Sequence, residues 1–490
     1  MTHKVSRRDF LVQSVVGGLS ACGAFARTAR AGPVGANDAV RVAIVGVRSK
    51  GAHHIQMFKQ VPGVRIAALC DIDEGILAKA ADGLAAEGVQ VAREVDVRRL
   101  LERQDVDAVV IATPNHWHAL MAVWACQAGK DVYVEKPVSH SVWEGRKVVE
   151  AAAKYGRIVQ AGTQSRSDEA LIELAALLRG GGLGKILCAR GFCYKRRDTI
   201  GRVNGPQPIP PGVHYDLFCG PAPLEPLRRK ELHYDWHWVW PTGNGDIGNQ
   251  GIHEMDMCRW MLGEEGLPRR VLSIGGRYGY VDDATTPNTQ IAVYDYPSAP
   301  IIFEVRGLPQ QAGANYMDQY RGVRVGIVIE CEQGYFAGGS GGGAIYDQAG
   351  KRVRGLPSTG GGAHVENFIA AVRSRKPEEL KAPVLGAHYS SALCHLGNIS
   401  YRLGTEMSAA EVRARAASRA DVAEAFERFV SHLAANGVDA ATAAVTSGPV
   451  LDLVPADERF ATQSAFDMGA WANRLLRDEY RPPFVVPEKV

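Results

Sequence analysis

The chain has 490 residues, of which 46% are hydrophobic, and it carries 56 lysines and arginines against 53 aspartates and glutamates. This length and apolar content predict about two to four domains with sizeable cores. The balanced charge excludes the basic stripe of a nucleic-acid-binding protein, and no apolar run after the N-terminal region is long enough to span a membrane. We therefore expect small-molecule partners, no nucleic acid and no membrane span.

Residues 1–31 are predicted to be a twin-arginine signal segment rather than part of the fold. The run Ser6–Leu11 (SRRDFL) has the twin-arginine pattern, a weakly apolar stretch follows, and Ala29–Ala31 places small residues at a cleavage site. We expect export through the twin-arginine machinery to the periplasm, a route that carries folded proteins. Two alternatives stay open: a lipoprotein box at Leu19–Cys22, with a lipid anchor on Cys22, and a basic amphipathic leader helix.

Residues 38–164 alternate between apolar strands and helical patterns. Strands are predicted at Val40–Val45, Arg65–Cys70, Val106–Thr113, Asp131–Val134 and Ile158–Ala161, and helices at Gly51–Val61, Glu74–Glu87, His116–Ala128 and Ser141–Tyr155. Nearly continuous apolar strands that alternate with helices are typical of a doubly wound parallel sheet. We therefore predict an α/β protein whose N-terminal domain is a Rossmann domain.

Residues 165–404 follow a different pattern, which predicts an α+β domain. After a helix at Asp168–Arg179, strands are predicted at Ile186–Tyr194, Arg270–Tyr278, Thr289–Tyr296, Ile301–Leu308 and Val323–Glu330, with a long Pro- and Gly-rich loop at Arg196–Leu232. Strands without intervening helices indicate an open, largely antiparallel sheet.

The remaining segments are less regular. The glycine tract Ala337–Gly343 is predicted to be flexible surface, as are residues 360–362. Helices are predicted at Ala363–Ser374 and at residues 385–403, and the second is expected to pack back on the Rossmann domain. Residues 405–490 form a mixed helical C-terminal extension without a predicted function, and one hypothesis is that it covers a neighbouring subunit.

Nine cysteines are scattered along the chain without a Cys-x-x-Cys pair. An odd number without short spacing argues against a disulfide scaffold and against zinc. We therefore predict no metal site. His233 and His237 are four residues apart, but no helical or carboxylate context supports a metal there.

The first strand ends in a glycine-containing turn that predicts phosphate binding. The run Gly46–Gly51 (GVRSKG) matches the dinucleotide fingerprint G-x-G-x-x-G except that Arg48 replaces the middle glycine. We predict contacts to the cofactor from Gly46, Arg48, Ser49, Lys50 and Gly51. The alternative is an ordinary turn between a strand and a helix.

Asp71 ends the second strand about 20 residues further on, where an acidic residue binds the ribose hydroxyls of NAD. Its charge would repel the 2′-phosphate of NADP, so we predict NAD. A simple aspartate at a strand end is the alternative interpretation.

Two further motifs follow strands of the same sheet. Thr113–His118 (TPNHWH) follows the third strand, and Glu135-Lys136-Pro137 closes the next one. Open α/β sheets bind ligands at the carboxyl ends of their strands. A lysine there can donate a hydrogen bond to a substrate hydroxyl and stabilise the alkoxide that forms as hydride leaves. By itself, a Lys-Pro pair fits a surface turn equally well.

Taken in order, Thr113-Pro114-Asn115, His118, Gly129-Lys130, Glu135-Lys136-Pro137 and Gly162-Thr163-Gln164 resemble the Gfo/Idh/MocA (glucose–fructose oxidoreductase-like) family of sugar oxidoreductases. The resemblance covers Val40–Gln164 closely and extends loosely to about Leu403. It implies that Lys136 is the catalytic lysine and that the Lys136–Pro137 bond is cis. It also implies that Thr113, Asn115, His118 and Glu135 line the nicotinamide half of the cofactor site, that Gln164 lies near the reaction centre, and that the chain forms a homodimer or homotetramer through the open sheet.

The family pattern Asp-x-x-x-His-x-x-Asp predicts a second catalytic group on a later helix. Here Asn249, His253 and Asp256 lie at this spacing, on one helix face. We predict that His253 is the acid/base, that Asp256 is catalytic and that Asn249 and His253 bind substrate. Asn249 replaces the first aspartate and cannot relay a proton, so either Asp246 or Asp256 substitutes or the proton path differs. A core histidine with a helix-capping aspartate is the alternative.

The segment His233–Trp240 (HYDWHWVW) is dense in aromatic residues and histidine. Aromatic faces stack on sugar rings and their polar tips bind hydroxyls, so we interpret the segment as a substrate wall and predict that Trp238 binds substrate. Tyr194 ends a strand before Lys195–Arg197 and is predicted to contact the substrate as well. The alternatives are a core aromatic strand and a solvated rim.

The leading functional hypothesis is reversible hydride transfer between NAD and a secondary hydroxyl of a sugar or polyol, in which Lys136 polarises the oxygen and His253 moves the proton. NAD is expected to be tightly bound and recycled by a second sugar, because the periplasm offers little free NAD. The alternative is an NAD-dependent glycoside hydrolase that oxidises its substrate transiently, without net redox. A non-catalytic nucleotide- or sugar-binding protein is the third hypothesis, against which the presence of both Lys136 and His253 argues.

Overall fold

The computed structural model describes residues 39–490 except residues 359, 361, 440 and 441. The predicted signal segment, its cleavage site and the lipoprotein cysteine Cys22 lie outside the described residues. None of the helices that are described is both long and apolar enough to cross a membrane.

The first sheet has six parallel strands. They are β1 (Val40–Val45), β2 (Val64–Cys70), β3 (Ala92–Glu94), β4 (Ala108–Ile111), β5 (Asp131–Val134) and β6 (Val159–Ala161), in the spatial order β3-β2-β1-β4-β5-β6. The connecting helices are α1 (Lys50–Gln60), α2 (Glu74–Ala86), α3 (Val97–Leu101), α4 (Asn115–Gln127) and α5 (Val142–Tyr155). This arrangement confirms the predicted Rossmann sheet. The order reverses between β1 and β4, where such sheets bind ligands.

Burial explains why these strands have continuous apolar sequences. β4 (AVVI) and β5 (DVYV) are buried at every position, because helices cover both faces of the sheet. Within residues 40–161, the sequence did not predict β3 and α3; both are short, and β3 (ARE) is an edge strand with little apolar character.

The second sheet confirms the predicted open, largely antiparallel architecture. It contains β7 (Ile186–Tyr194), β8 (Arg270–Gly276), β9 (Thr289–Asp295), β10 (Ile301–Arg306), β11 (Val325–Cys331), β12 (Gly334–Gly339), β13 (Gly342–Tyr346) and β14 (Arg352–Pro357), together with short strands of the extension. Its order is β14-β13-β12-β11-β7-β10-β9-β8, followed by β16 (Val445–Ser447) and β15 (Thr405–Met407) of the C-terminal extension. Among the described strands of this sheet, only β10 and β7 pair in parallel.

The prediction of flexible surface at Ala337–Gly343 was wrong, because this tract forms the β12–β13 hairpin. The glycines allow the two strands to approach closely. A Cβ on Gly338 would lie 2.3 Å from the carbonyl oxygen of Gly342, and one on Gly343 would lie 2.5 Å from the ring of Phe336. Glycine here serves sheet pairing rather than flexibility.

The α-helices of this region are α6 (Glu169–Arg179), the short α7 (Tyr215–Cys219) in the long loop, α8 (Gly245–Asn249), α9 (Gly251–Leu262), α10 (His364–Ser374) and α11 (Val384–Arg402). Helices α6, α8, α9 and α11 share the core of the second sheet, whereas α10 packs on the Rossmann core through Val365 and Phe368. α9 packs on β7, and α11 contacts both α9 and α5 of the first sheet. A Cβ on Gly145 would lie 2.4 Å from His388 Nδ1, which shows how closely α5 and α11 approach.

The C-terminal extension contains β15 (Thr405–Met407), α12 (Ala409–Ala416), α13 (Ala420–Ala435), β16 (Val445–Ser447), β17 (Leu451–Val454), β18 (Arg459–Phe460) and α14 (Met468–Arg474). The extension packs on its own chain, and its covering of a neighbouring subunit stays a prediction. Phe426 and Phe429 of α13 lie against Ile291 and Val293 on the outer face of the second sheet. The last residues return to the Rossmann domain, where the Phe484 ring lies 5.4 Å from that of Trp117.

Candidate active site

A cavity of about 460 Å³ opens at the carboxyl ends of the Rossmann strands. This volume is typical of a small-molecule site. Most of the predicted site residues line it: Gly46, Arg48, Ser49, Lys50, Asp71, Thr113, Asn115, His118, Glu135, Lys136, Gln164, Asn249 and His253. Gly51, Tyr194, Trp238 and Asp256 do not line it.

The turn after β1 is built so that a ligand can approach the main chain. Gly46 has a positive φ of 77°, and a Cβ there would lie 2.7 Å from the carbonyl oxygen of Ala112. A Cβ on Gly51 would lie 1.6 Å from the carbonyl oxygen of Gly46, so Gly51 acts through packing rather than contact. The Gly51 and His53 amides donate to the carbonyls of Arg48 and Ser49, but the side chain of Ser49 does not cap α1, so an anion at this helix N-terminus does not compete with a capping side chain. These features fit the pyrophosphate of a dinucleotide.

Asp71 lies at the next strand end, where its carboxylate is held in place. Oδ2 accepts a hydrogen bond of 2.8 Å from the Val47 amide, and Oδ1 accepts one of 3.0 Å from the Asp73 amide. Burial raises the pKa of Asp71, and these two hydrogen bonds oppose the shift. The fixed acceptor at the cavity wall fits the hydroxyls of a ribose.

Part of the long loop closes over this end of the cavity. We call residues 209–233 the cover loop. The Glu74 amide donates to the carbonyl of Gly212, His214 Nε2 lies 2.7 Å from Glu74 Oε1, and His233 Nε2 lies 3.0 Å from Asp73 Oδ2. The sequence predicted a loop here but not its function. The length of the loop could have indicated one, since long loops in compact domains are commonly functional.

The motif after β4 holds the cover loop from the other side. Trp117 Nε1 donates to the carbonyl of Leu217 at 2.9 Å, and His116 Nε2 lies 2.9 Å from the carbonyl of Phe218. Leu217 and Phe218 in turn line the cavity. The ring nitrogens of His118 lie 2.8 Å from the Thr113 carbonyl and 2.6 Å from the Pro137 carbonyl, so this residue braces the ends of β4 and β5.

Glu135 is a buried carboxylate beside His54 and two lysines, Lys50 and Lys136. His54 Nε2 lies 2.8 Å from its Oε1, and Lys50 Nζ lies 3.6 Å from the same atom. Burial favours the neutral acid, but the His54 hydrogen bond and the charges of Lys50 and Lys136 outweigh it and hold the pKa of Glu135 well below its ordinary value. Glu135 is therefore ionised and helps to keep the adjacent lysine charged.

Lys136 places its ammonium group between the two sheets. Nζ donates a hydrogen bond of 2.5 Å to the main-chain carbonyl of Asn249, at the junction of α8 and α9. Burial lowers the pKa of Lys136, and Glu135 opposes that shift. The Lys136–Pro137 peptide bond is cis, as the resemblance implied.

His253 on α9 faces the same cavity. Burial lowers its pKa to about 3, and the Lys136 charge adds to this effect. The imidazole is therefore neutral near pH 7 and able to accept a proton. Over the described part of the chain, no side chain or carbonyl forms a hydrogen bond with this ring.

The prediction that Asp256 is catalytic is corrected by its contacts. Both carboxylate oxygens bind Arg166, at 2.7 and 2.8 Å, and Ser390 Oγ donates to Oδ1 at 2.6 Å. Asp246 is held in the same way by Arg197, at 2.6 and 2.7 Å. Neither aspartate is free to relay a proton, so the proton path differs from the one that the family pattern implies.

Two predicted substrate contacts are corrected as well. Tyr194 is buried on the face of β7 that turns away from α9, and its hydroxyl donates to Glu304 Oε2 at 2.8 Å. Trp238 is buried against the guanidinium of Arg197, which lies 5.0 Å from the ring centroid. Tyr194 faces away from the cavity because side chains alternate between the two faces of β7. Trp238 faces away because of the way its short helix packs.

The aromatic segment nevertheless forms a wall of the cavity, through residues that sequence reasoning did not single out for substrate. His233, Tyr234, Trp236 and His237 line the cavity. Asp235–Trp238 is a 3₁₀ helix, in which one residue in three shares a face. The density of aromatic residues was therefore a valid signal, but it did not identify which members face inward.

Comparison with known proteins agrees with this geometry. Residues 40–163 match the oxidoreductase family with an NAD-binding Rossmann fold, and residues 181–324 match the C-terminal alpha/beta domain of the same family. The chain belongs to the Gfo/Idh/MocA oxidoreductase family. A nicotinamide-binding Rossmann domain is thereby established for it.

Relatives of this family member include glycosidases. A glycosyl hydrolase family 109 protein of Shewanella baltica is 35% identical over 122 residues, or 24% of this chain and 27% of that protein. An alpha-N-acetylgalactosaminidase of Shewanella oneidensis is 31% identical over 122 residues, with the same shares covered. The chain spans about a quarter of the length of the curated relatives it matches.

Solved structures share the fold of both domains. The oxidoreductase domain protein of Kribbella flavida has a TM-score of 0.55 at 19% identity, covering 74% of this chain and 96% of that one. The WlbA dehydrogenase of Bordetella pertussis, in complex with NADH and UDP-GlcNAcA, has a TM-score of 0.54 at 19% identity, covering 72% and 94%.

Proposed function

We propose that this protein transfers hydride between a bound nicotinamide cofactor and a secondary hydroxyl group of a sugar or polyol. The observation that carries the proposal is the convergence of Lys136 and His253 on the cavity that also contains the phosphate turn and Asp71. A charged hydrogen-bond donor and a neutral proton acceptor are the two groups that alcohol oxidation needs beside a hydride acceptor.

The chain's own residues supply the proton chemistry. Lys136 donates a hydrogen bond to the substrate oxygen and stabilises the negative charge that develops on it as the C–H bond breaks. His253 accepts the hydroxyl proton, and in the reverse direction it returns that proton to the carbonyl oxygen. A bound oxidised nicotinamide would supply the hydride acceptor, and its ring would be neutral once reduced. The imidazolium that forms on His253 therefore replaces a positive charge in the cavity instead of adding one, which makes a weakly basic histidine sufficient.

To test this proposal, the protein is incubated with a panel of free sugars, polyols and aryl glycosides. Absorbance measures how much reduced cofactor forms. A free sugar that reduces the cofactor in wild type, but not in a Lys136→Ala variant, supports hydride transfer at this site. Equal rates in the two proteins would overturn the proposal.

We further propose that the cofactor is NAD and that it stays bound through many turnovers. Asp71, Asp73 and Asp96 lie around the predicted ribose end, and their charges disfavour a 2′-phosphate. The cover loop bonds to residues 72–74, so release of the cofactor requires several hydrogen bonds to break.

Native mass spectrometry of the purified protein tests both statements. We expect a mass increase equal to NAD, and its loss in a His214→Ala/His233→Ala double variant. A mass increase equal to NADP would contradict the choice of cofactor. Protein purified without any nucleotide would contradict tight binding.

A second candidate is glycoside cleavage without net redox. Oxidation of a ring carbon to a ketone acidifies the neighbouring C–H bond; loss of that proton expels the aglycone from the next carbon, water adds to the resulting double bond, and the hydride returns to the ketone. The glycosidase names of the relatives favour this candidate, and so does the cover loop, because a retained cofactor suits a closed redox cycle. Release of nitrophenol from an aryl glycoside with no accumulation of reduced cofactor would select it over net oxidation.

Export and assembly complete the proposal. The run SRRDFL supports export by the twin-arginine route and a periplasmic location, which fractionation of cells that express an Arg7→Lys/Arg8→Lys variant would test. We propose a homodimer or homotetramer. Because α12 and α13 cover β8–β10, assembly would use the remaining outer face of the second sheet. Light scattering of the purified protein checks the oligomeric state.

A further inference from the structure

A second imidazole faces the reaction centre. His237 lines the cavity together with His253, and burial and the charge of Lys136 lower the pKa of both rings. The reaction as proposed above needs only one of them, His253, to accept a proton. His237 therefore has no role in the proposed hydride transfer.

Contacts of His237 determine which ring nitrogen carries its hydrogen. Nδ1 lies 2.6 Å from the main-chain carbonyl oxygen of Tyr234. A carbonyl oxygen only accepts hydrogen bonds, so Nδ1 must carry the hydrogen and Nε2 of the neutral ring must be an acceptor. The ring also stacks on Trp236, with centroids 3.6 Å apart and planes inclined by 21°. Tautomer and orientation are both set before any substrate binds.

The acceptor atom of His237, Nε2, faces the cavity. His237 Nε2 forms no hydrogen bond within the described residues, and it is not among their buried atoms that lack a partner. Burial lowers the pKa of His237 to about 3, and the charges of Lys136 and Arg197 contribute. The ring therefore stays an acceptor, and does not become a donor, throughout the neutral pH range. Its weak basicity also argues against a second general base.

We propose that His237 Nε2 accepts a hydrogen bond from a second donor group of the substrate, a hydroxyl or an amide N–H on a carbon next to the one that is oxidised. The substrates would then be vicinal diols or vicinal amido alcohols, and an isolated secondary alcohol would be a poor substrate. This inference rests on the proposed hydride transfer, because Lys136 and His253 hold the reacting hydroxyl. A substrate without the second donor leaves a desolvated acceptor unpaired, which is the basis of strong discrimination.

The experiment compares matched sugars in matched variants. The probes are the methyl α-pyranosides of glucose, galactose and N-acetylgalactosamine. The one that wild type oxidises fastest is paired with its analogues in which a neighbouring hydroxyl or acetamido group is replaced by hydrogen. For wild type, we expect one of these replacements to lower kcat/KM by about 10- to 100-fold.

Variants of His237 separate recognition from structure. His237→Phe keeps the stack on Trp236 but has no acceptor, so it should lose activity on the parent sugar and show no further loss on the deoxy analogue. His237→Gln supplies an amide oxygen near the position of Nε2 and should restore part of the discrimination. Trp240→Phe is the matched control: its ring belongs to the same segment but lies near Tyr401 and does not line the cavity, so the ratio between the two sugars should stay at the wild-type value.

The possible results distinguish the role of His237 from the proposed hydride transfer. A His237→Phe variant that discriminates between the sugars as wild type does would overturn the inference and leave the proposed function standing. A wild-type protein that oxidises isolated alcohols as fast as diols would do the same. If wild type oxidises no pyranoside although it contains the cofactor, the proposed hydride transfer fails, and the inference falls with it.

Discussion

The side chain of Lys136 donates its hydrogen bond to the main-chain carbonyl of Asn249, not to the side chain of that residue. Asn249 stands where the family pattern has aspartate, and the side-chain amide is turned to Asp246, with Nδ2 3.3 Å from Oδ1. A main-chain carbonyl can accept a hydrogen bond from an ammonium group, and it is present whatever the side chain. The substitution therefore removes a proton relay without removing the support of the catalytic lysine.

Replacement of Lys136 by methionine is expected to abolish most hydride transfer. Methionine preserves the length of the side chain but removes the charge that stabilises the developing alkoxide, so we expect kcat to fall by about 10²- to 10³-fold. Single-turnover reduction of the bound cofactor measures the step directly. Lys195→Met is the control, because Lys195 is exposed and hydrogen-bonded only weakly to Gln250, at 3.5 Å. Comparable losses in both variants would contradict the assignment.

An Asp256→Asn variant is expected to lose stability rather than the pH dependence of catalysis. The substitution leaves Arg166 beside a neutral group in a buried setting, and breaking a buried pair costs about 3–5 kcal/mol. Thermal unfolding should show a clear decrease in Tm, while the pH profile of kcat keeps the wild-type shape. A new or displaced limb in that profile would indicate that Asp256 takes part in proton transfer after all.

Alanine at Gly51 is expected to eliminate cofactor binding. The added Cβ would lie 1.6 Å from the carbonyl oxygen of Gly46, so either the turn or α1 must move. Native mass spectrometry should then show protein without nucleotide. Gly83→Ala is the matched control, because no atom lies within 4 Å of its added Cβ and the position is in the helix α2, where alanine adds up to about 1 kcal/mol of stability. Retention of NAD by Gly51→Ala would contradict the close packing of this turn.

The His140–Asp478 pair is expected to make docking of the C-terminal residues sensitive to alkaline pH. Burial favours the neutral ring, but Asp478, with Oδ2 2.8 Å from Nδ1, outweighs it and raises the pKa of His140 from 6.5 to about 9. A raised pKa in the folded state means that the stabilisation is complete below pH 6.5 and is lost as the pH rises through about 9. Neighbouring Glu144, whose pKa burial raises to about 7, acts in the same direction, because its ionised form is disfavoured by folding.

Thermal unfolding at pH 6 and pH 9 tests this expectation. Wild type should lose more stability over that interval than an Asp478→Asn variant, in which His140 has no carboxylate partner. Equal losses in the two proteins would show that the pair does not set the alkaline limit.

Much of the fold followed from local sequence, and the reason is burial. A strand covered by helices on both faces must be apolar throughout, so β1, β4 and β5 were visible as continuous runs between helical patterns. The phosphate turn, Asp71, Lys136 and His253 were also found, because each stands at a position that the chain order of the fold determines. The β12–β13 hairpin was missed, since its glycines match a loop in composition and form strands only because a partner strand lies close enough.

Only the tertiary structure decided which way the side chains of the site residues point and which residues bind them. Asp256 and His253 share a helix face in sequence, yet Arg166, 90 residues away, binds one of them and leaves the other in the cavity. Trp238 and His237 are adjacent, and Trp238 is the one that is buried, against Arg197. The sequence by itself therefore determined which chemical groups the protein places at the strand ends. Contacts between residues far apart in the chain decided which of these groups remain free to act on a substrate, because no local pattern records what packs against a side chain.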